Sequence, residues 1–443
     1  MWLLLSIYDT HLQLNLTNTM SSNLPEDILH GVTSVLKDDI PSLRAFSLTS
    51  RNFTPAAQRH LFHHISLPGK LNPSSHNRSI PPKIVTNLHS ILTKNPSLLR
   101  YIHDIHIIQI SHSPPDQPMM SYSILWILQH PNILVELFNL LESSPIESFT
   151  LLFHEPANLK WSNLNPSLCT ALQNLFRKPT LRELRLEGFS VPPQLFFHCV
   201  GVESLALINV STNDDQPIQP PSPSTPHPLH KVKRLYYTPS SSDNTIDFSN
   251  PTGSFNLNEL NFLWLNLYNL TRISSISNLF HIRNLTELHI KPASYSRTPP
   301  RIDLTALVNL VKLTLSFDNG GSVDRDSIGW IDHTLSSLPT AKPSLRTFVL
   351  RFSAPRPNEV DLQLYHELSE PLGNAHRRLR GVLKQVLVLV RFSGHKVAGT
   401  ADFARNLTQQ LVWEGSQEVL TVDAGIVPWV WPMRITAECK PLD

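Results

Sequence analysis

Glycine is scarce in this chain: 14 residues in 443, against 37 prolines. So few glycines argue against a fold built around phosphate-cradling glycine loops. No Walker loop, dinucleotide-binding fingerprint, Gly-x-Ser-x-Gly elbow or His-Glu-x-x-His pair is present. Cysteine is scarcer still. Cys169, Cys199 and Cys439 are too few and too scattered for a disulfide framework or a zinc knuckle. Charge of either sign is not in excess: the formal net charge is +2. There is no long basic run, so the counterion-release drive of a dedicated nucleic-acid binder is missing. Long apolar runs are missing too, and no stretch approaches the roughly 18 uncharged residues of a membrane span. The apolar start, Met1–Ile7, lacks a positive flank and is cut by Asp9 and His11, so it falls short of a secretory signal. The reading is an intracellular protein, cytoplasmic or nuclear, with reduced thiols. Its seven Asn-x-Ser/Thr sequons (starting at Asn15, Asn52, Asn77, Asn209, Asn269, Asn284 and Asn406) would matter only on secretion.

What is present is proline-punctuated periodicity. Residues 1–20 read as a disordered extension. From Leu24 the run Pro25-Glu26-Asp27-Ile28 opens a helix, with proline in the first turn and acids at the positive end of the dipole. Ile28, Leu29, Val32, Val35 and Leu36 then form an apolar stripe at helical spacing. A second short helix carries Leu43, Phe46 and Leu48, and Thr54-Pro55 starts a third through Ala56, Ala57 and Leu61. Three short helices over residues 21–67 make a core that is marginal alone, so the module should complete its burial against a neighbour or partner.

The run Leu24-Pro25-Glu26-x-Ile28, the segment Leu43-Arg44-Ala45-Phe46-Ser47-Leu48-Thr49-Ser50-Arg51-Asn52-Phe53 and the closing Arg59-His60-Leu61-Phe62 resemble an F-box, over about one tenth of the chain. Many members of that family carry tryptophan where Phe53 stands. The resemblance implies binding to a Skp-type adaptor and, through it, to a cullin ligase core. It places Leu24, Pro25, Ile28, Leu29, Val32 and Leu43 on or beside the adaptor surface.

Beyond residue 80 the template Leu-x-x-Leu-x-Leu, with other apolar residues allowed, recurs ten times with starts 21 to 44 residues apart. The series begins at Ile102, Ile146, Leu181, Val202 and Val232. It continues at Leu257, Leu285, Leu310, Leu345 and Leu383. Proline turns precede several copies, and helically spaced apolar residues precede those turns, as in 84–92, 168–176 and 328–338. Each helix–turn–strand unit has an apolar face it cannot bury alone, so units must stack. The fold class expected is α/β: a three-helix F-box-like module followed by an irregular leucine-rich-repeat solenoid over residues 80–443, with a parallel sheet on its concave face. The proline-rich stretch 211–230 reads as a disordered loop. Ser113, Ser222, Thr225 and Thr298 precede proline, but a plain spacer explains them better than kinase sites.

No residues assemble a catalytic site. His60, His63 and His64 lack a third metal ligand nearby, and His63-His64-Ile65 reads as a strand leaving the module. His103 and His106 read as solvated strand residues. No cofactor and no metal is expected. Strand alternation puts the residue between the two inward apolar positions on the concave surface. That row reads His106, Thr150, Arg185, Ala206, Tyr236, Asn261, His289, Thr314, Val349 and Leu387, of which Arg185, Tyr236, Asn261 and His289 are the best candidates for contact with a target protein. The function expected is a non-enzymatic, substrate-recognising subunit of a cullin-type ubiquitin ligase with an unidentified target. The alternative is a leucine-rich scaffold not coupled to a ligase.

Overall fold

A computed structural model describes residues 25–49, 52–70, 83–110, 126–153, 159–212, 232–239, 246, 257–267, 276–292, 301–317, 325–340, 343–354, 362–379, 381–393, 400–413 and 415–427. Residues 1–20, Leu24 and positions 213–230 of the loop expected over 211–230 lie outside these; Ser211, at the start of that expected loop, instead forms a parallel bridge with Ser190. The chain divides into two compact units: residues 1–206 with 210–230, and residues 207–209 with 231–443.

Among the described residues the first unit begins with three helices, α1 (Glu26–Val35), α2 (Ile40–Thr49) and α3 (Thr54–His63). α3 packs on both others. Their core holds Leu29, Leu43, Ala56, Ala57 and Phe62. Phe46 and Phe53 stack at 4.4 Å between ring centroids and close the turn between α2 and α3. Thr33 is buried within α1, where its hydroxyl donates to the Leu29 carbonyl at 3.0 Å. α3 runs directly into β1 (His64–Lys70), the strand expected at the module's exit.

From there strand and helix alternate. β2 (Asp104–Ile110), β3 (Ser148–Phe153), β4 (Glu183–Glu187) and β5 (Ser204–Val210) follow β1 in sequence order across the sheet. Helices α4 (Lys83–Lys94), α5 (Trp126–Gln129), α6 (Pro131–Leu141) and α7 (Pro166–Phe176) lie between strands in the chain. α7 starts on Pro166, with the Asn165 side chain accepting from the Ser167 amide at 2.9 Å, an N-cap that satisfies an otherwise unpaired donor. α4 packs on α6 and α6 on α7. Phe149 of β3 lies edge-on to Phe138 of α6 and Phe176 of α7, which fixes the inward face of the strands.

The second unit repeats the pattern with β6 (Arg234–Pro239), β7 (Phe262–Asn266), β8 (Glu287–Lys291), β9 (Lys312–Phe317), β10 (Thr347–Ala354), β11 (Gln385–Ser393) and β12 (Leu420–Val427), again in sequence order. Its helices are α8 (Arg325–Ser336), α9 (Leu362–Glu367), α10 (Ser369–Arg378), α11 (Thr400–Gln410) and α12 (Ser416–Val419). Phe317–Trp330, Phe352–Tyr365 and Phe392–Phe403 ring contacts seat β9, β10 and β11 on their helices. The fold is therefore α/β, with parallel pairing at each strand pair whose register is described.

The expected strand register holds at nine of the ten templates and fails at one. The template starting at Leu257 puts Leu260 and Phe262 inward. In the structure Leu263 and Leu265 are the inward, fully buried pair, and Phe262 is half-buried on the other face. The true copy is Leu260-x-x-Leu263-x-Leu265, three residues later. Twelve strands are present among the described residues, because β1 and β12 extend the series beyond the templates.

Candidate functional site

The N-terminal module divides its apolar residues between two faces. Leu29 and Thr33 point into the core, whereas Ile28, Val32 and Val35, at i, i+4 and i+7, are exposed along α1. Val35 is 84% exposed, and Leu48 on α2 is 64% exposed. Of the six residues that the family resemblance puts at the adaptor, Pro25, Ile28 and Val32 are on the outside. Leu29 and Leu43 lie beside that face and not on it: at 6% and 0% exposure they belong to the module's own core.

The outward face of the strands also differs from expectation. In the first unit, cross-strand partners align Ser66 with His106, His106 with Thr150 and Thr150 with Arg185. This row is largely covered. Thr150 is buried, and Arg185 is 8% exposed. The Arg185 guanidinium donates to Glu187, two residues along the same strand face, at 2.7 Å. Arg185 is thus a buried charge held by a carboxylate and not an open contact residue, which corrects its assignment as a target contact.

In the second unit the row runs Tyr236, Trp264, His289, Thr314, Val349, Leu387 and Thr421. Trp264 takes the place assigned to Asn261. Asn261 is exposed but precedes β7, off the row, because of the three-residue slip. Tyr236 and His289 do occupy the row, half-buried. The Trp264 ring meets His289 edge-on at 5.8 Å, and a His289 ring nitrogen shares a hydrogen bond with the Ser316 hydroxyl at 2.7 Å. Burial holds His289 neutral and pushes its pKa down to about 3, with Arg351, Lys291 and Lys312 adding repulsion.

The more accessible positions lie two residues earlier, at the strand starts. Glu183 is exposed in the first unit, and Arg234, Phe262 and Glu287 are half-buried in the second. Arg234 sits over the Phe262 ring at 5.2 Å, and Tyr236 flanks the same ring at 5.1 Å. Glu287 pairs with Lys312 at 3.5 Å across the sheet.

A cluster that sequence reasoning scatters comes together where α3 passes into β1. His63 stacks on His103 at 4.8 Å, and His64 meets His106 edge-on at 4.3 Å. Asp104 lies 3.8 Å from His63 and 4.0 Å from His64, and His103 contacts Glu147 at 2.9 Å. His103 and His106 are therefore half-buried ring partners, not the solvated strand residues expected. Burial raises the Asp104 carboxyl despite its imidazole neighbours. His106 is pushed down to about 4, first by burial and then by His64 and Arg185. The signal that could find this cluster is the parallel pairing of His64 with Asp104 and of Ser66 with His106, which requires β1 to be counted as the first strand. Among the described residues no group of three His, Cys, Asp or Glu side chains is arranged to hold a metal ion. Cys199 is buried, its thiol pushed up to about 12, so it stays protonated and unreactive. Among the described residues no helix is long and apolar enough to cross a membrane. No protein-family model matches the chain, and no curated protein matches it.

Proposed function

We propose that this chain is a substrate-recognition subunit of a cullin-type ubiquitin ligase: an F-box-like module that docks a Skp-type adaptor, followed by an irregular leucine-rich-repeat solenoid that selects a target protein. The observation that carries this reading is the apolar stripe Ile28, Val32 and Val35, left exposed on a module whose core is already filled by Leu29, Leu43 and Phe62. Such a stripe is supernumerary for the module and suited to a partner. The chain would supply no chemistry of its own; holding a target near the ligase raises its effective concentration there. Target contacts fall to strand-face residues that retain access: Glu183 in the first unit, and the half-buried Tyr236, His289, Arg234 and Phe262 in the second.

The burial of Leu29 and Leu43 favours a second reading, a scaffold whose helical cap recruits no ligase, since it leaves two of the six residues assigned to the adaptor beside the exposed face and not on it. Co-purification of the full chain with a Skp-type adaptor separates the two. Ile28→Asp should abolish capture by placing an unpaired carboxylate in the interface, a cost of several kcal/mol, while leaving the fold intact. Absence of capture by the unmodified chain, or unchanged capture by the variant, would overturn the ligase reading.

A further inference from the structure

Between the helical module and the first repeat lies a cleft of about 730 Å³ whose chemistry has no part in either reading above. Its walls come from α1, α3 and the short 3₁₀ turn Pro96–Tyr101, all within the first unit. Two guanidinium groups line it from different elements: Arg59 on α3 and Arg100 on the 3₁₀ turn. Among the described residues Arg59 has neither a hydrogen-bond nor an ion-pair partner. Arg100 donates to the Tyr101 hydroxyl at 2.5 Å and lies 4.6 Å from the centre of that ring, so it is held in place without a carboxylate. His30 and His103 add ring nitrogens to the lining. The lining also holds one acid, Glu26, which is exposed and lies 3.3 Å from the His30 ring, and His103 contacts Glu147 at 2.9 Å.

We propose that this cleft binds a phosphate monoester. Arginine's planar fork of donors matches phosphate oxygens, and two such groups line this one cleft from separate elements. The rest of the lining is Asn52 together with Leu29, Pro55, Ala56 and the Tyr101 ring. The volume is of the size that small organic ligands occupy and exceeds what a bare inorganic anion fills. The ligand is therefore an organic phosphate, with its head at Arg59 and Arg100 and its body along the proline–alanine wall. Two sources share this chemistry, a free phosphorylated metabolite and a phosphorylated side chain of a peptide.

The test uses the full chain and two probes, phenyl phosphate and a short phosphoserine peptide, each titrated calorimetrically at fixed ionic strength. Phenol, the unphosphorylated peptide and sodium sulfate are the controls. Binding of phenyl phosphate alone identifies a small-molecule site; binding of the phosphopeptide alone identifies a protein-borne ligand; either supports the cleft. R59Q/R100Q should weaken the bound probe by about tenfold or more, as loss of charge-assisted pairs does. R59K/R100K, which keeps charge and loses the fork, should fall between the two. Both arginines are exposed, so thermal unfolding of the variants should match the parent, and far-ultraviolet dichroism checks this directly. Failure of both probes, equal heat from sulfate, or undiminished affinity in R59Q/R100Q would overturn the proposal. None of these outcomes bears on adaptor capture, which is measured at Ile28.

Discussion

Arg185 and Glu187 stand two residues apart on β4, on the face turned away from the helices, with 2.7 Å between guanidinium and carboxylate. Their side chains are 9% and 12% exposed. The Arg185 Nε is also buried and finds no acceptor. A pair this covered behaves differently from a surface ion pair. Removing one partner strands the other charge, whereas removing both can be close to neutral. Arg185→Ala should therefore cost about 3–5 kcal/mol, comparable with Leu186→Ala on the inward side of the same strand. The double variant Arg185→Met with Glu187→Leu should recover most of that loss. Urea unfolding midpoints of the singles and the double, combined as a cycle, measure the coupling. A loss below about 0.5 kcal/mol for Arg185→Ala would mean that the face is open to water after all.

The two faces of the helical module give a second contrast. Leu43 is fully buried, and Leu43→Ala should destabilise the first unit by about 2–5 kcal/mol through lost burial and the cavity left behind. Val35 is 84% exposed, so Val35→Ser should change stability by less than about 0.5 kcal/mol. Thermal unfolding of the two variants side by side checks the order. Equal losses would mean that the exposed stripe is packed in solution.

Much of this architecture is legible in the sequence because inward strand positions repeat a pattern that random leucines do not sustain. The failure at β7 shows the limit. Asn256-Leu257-Asn258-Glu259-Leu260-Asn261-Phe262-Leu263-Trp264-Leu265 satisfies the template in two registers three residues apart. An odd slip exchanges the faces of a strand, so the earlier register puts Asn261 where Trp264 belongs. The alternation continuing to Leu267, which is also fully buried, is the cue that decides between them. Burial of the outward row is not legible, because cover for Thr150 or Arg185 comes from residues distant in sequence. The division of α1 into Leu29 inside and Ile28 outside is likewise hidden. Adjacent residues on a broad apolar stripe look alike until the position of α3 is known.

Among the described residues four depressed histidines shape the pH dependence. His60, His64 and His106 in the first unit and His289 in the second are all held neutral chiefly by burial. The sign follows from linkage. The unfolded chain takes up these protons near pH 6.5 and the folded one only at lower pH, so stability is full above about 6.5 and is lost as pH falls toward about 4. For His106, lowered from 6.5 to about 4, the full shift corresponds to roughly 3 kcal/mol. Asp104 works in the opposite sense, since its raised carboxyl is protonated first in the folded state and returns some stability at the acid end. Asp39 and Asp303 are held low by hydroxyl and amide donors from Ser42 and Thr305, and lose their contribution only below about 3.8, outside this window. Unfolding midpoints from pH 8 to pH 4 should fall for the parent and fall less for His106→Asn. A profile unchanged by that substitution would remove His106 as a cause.

Two glycines should respond to the same substitution with opposite signs. Gly188 follows β4 directly and has a φ of +69°, a region costly for side-chain-bearing residues. A Cβ built there would lie 2.2 Å from the Phe153 carbonyl oxygen at the end of β3. That oxygen belongs to backbone and cannot swing aside, so the β3–β4 pairing itself would have to open. Gly188→Ala should cost about 3–5 kcal/mol, among the larger effects of any single change. Gly31 lies in the exposed middle of α1, where a Cβ would meet no atom within 4 Å, and there glycine contributes only backbone entropy to the unfolded state. Gly31→Ala should stabilise the module by about 0.5–1 kcal/mol. Calorimetric melting of both variants decides the matter. Tolerance of alanine at Gly188 would mean that β4 ends before Glu187, and the Arg185–Glu187 pair would then lose the strand that holds it.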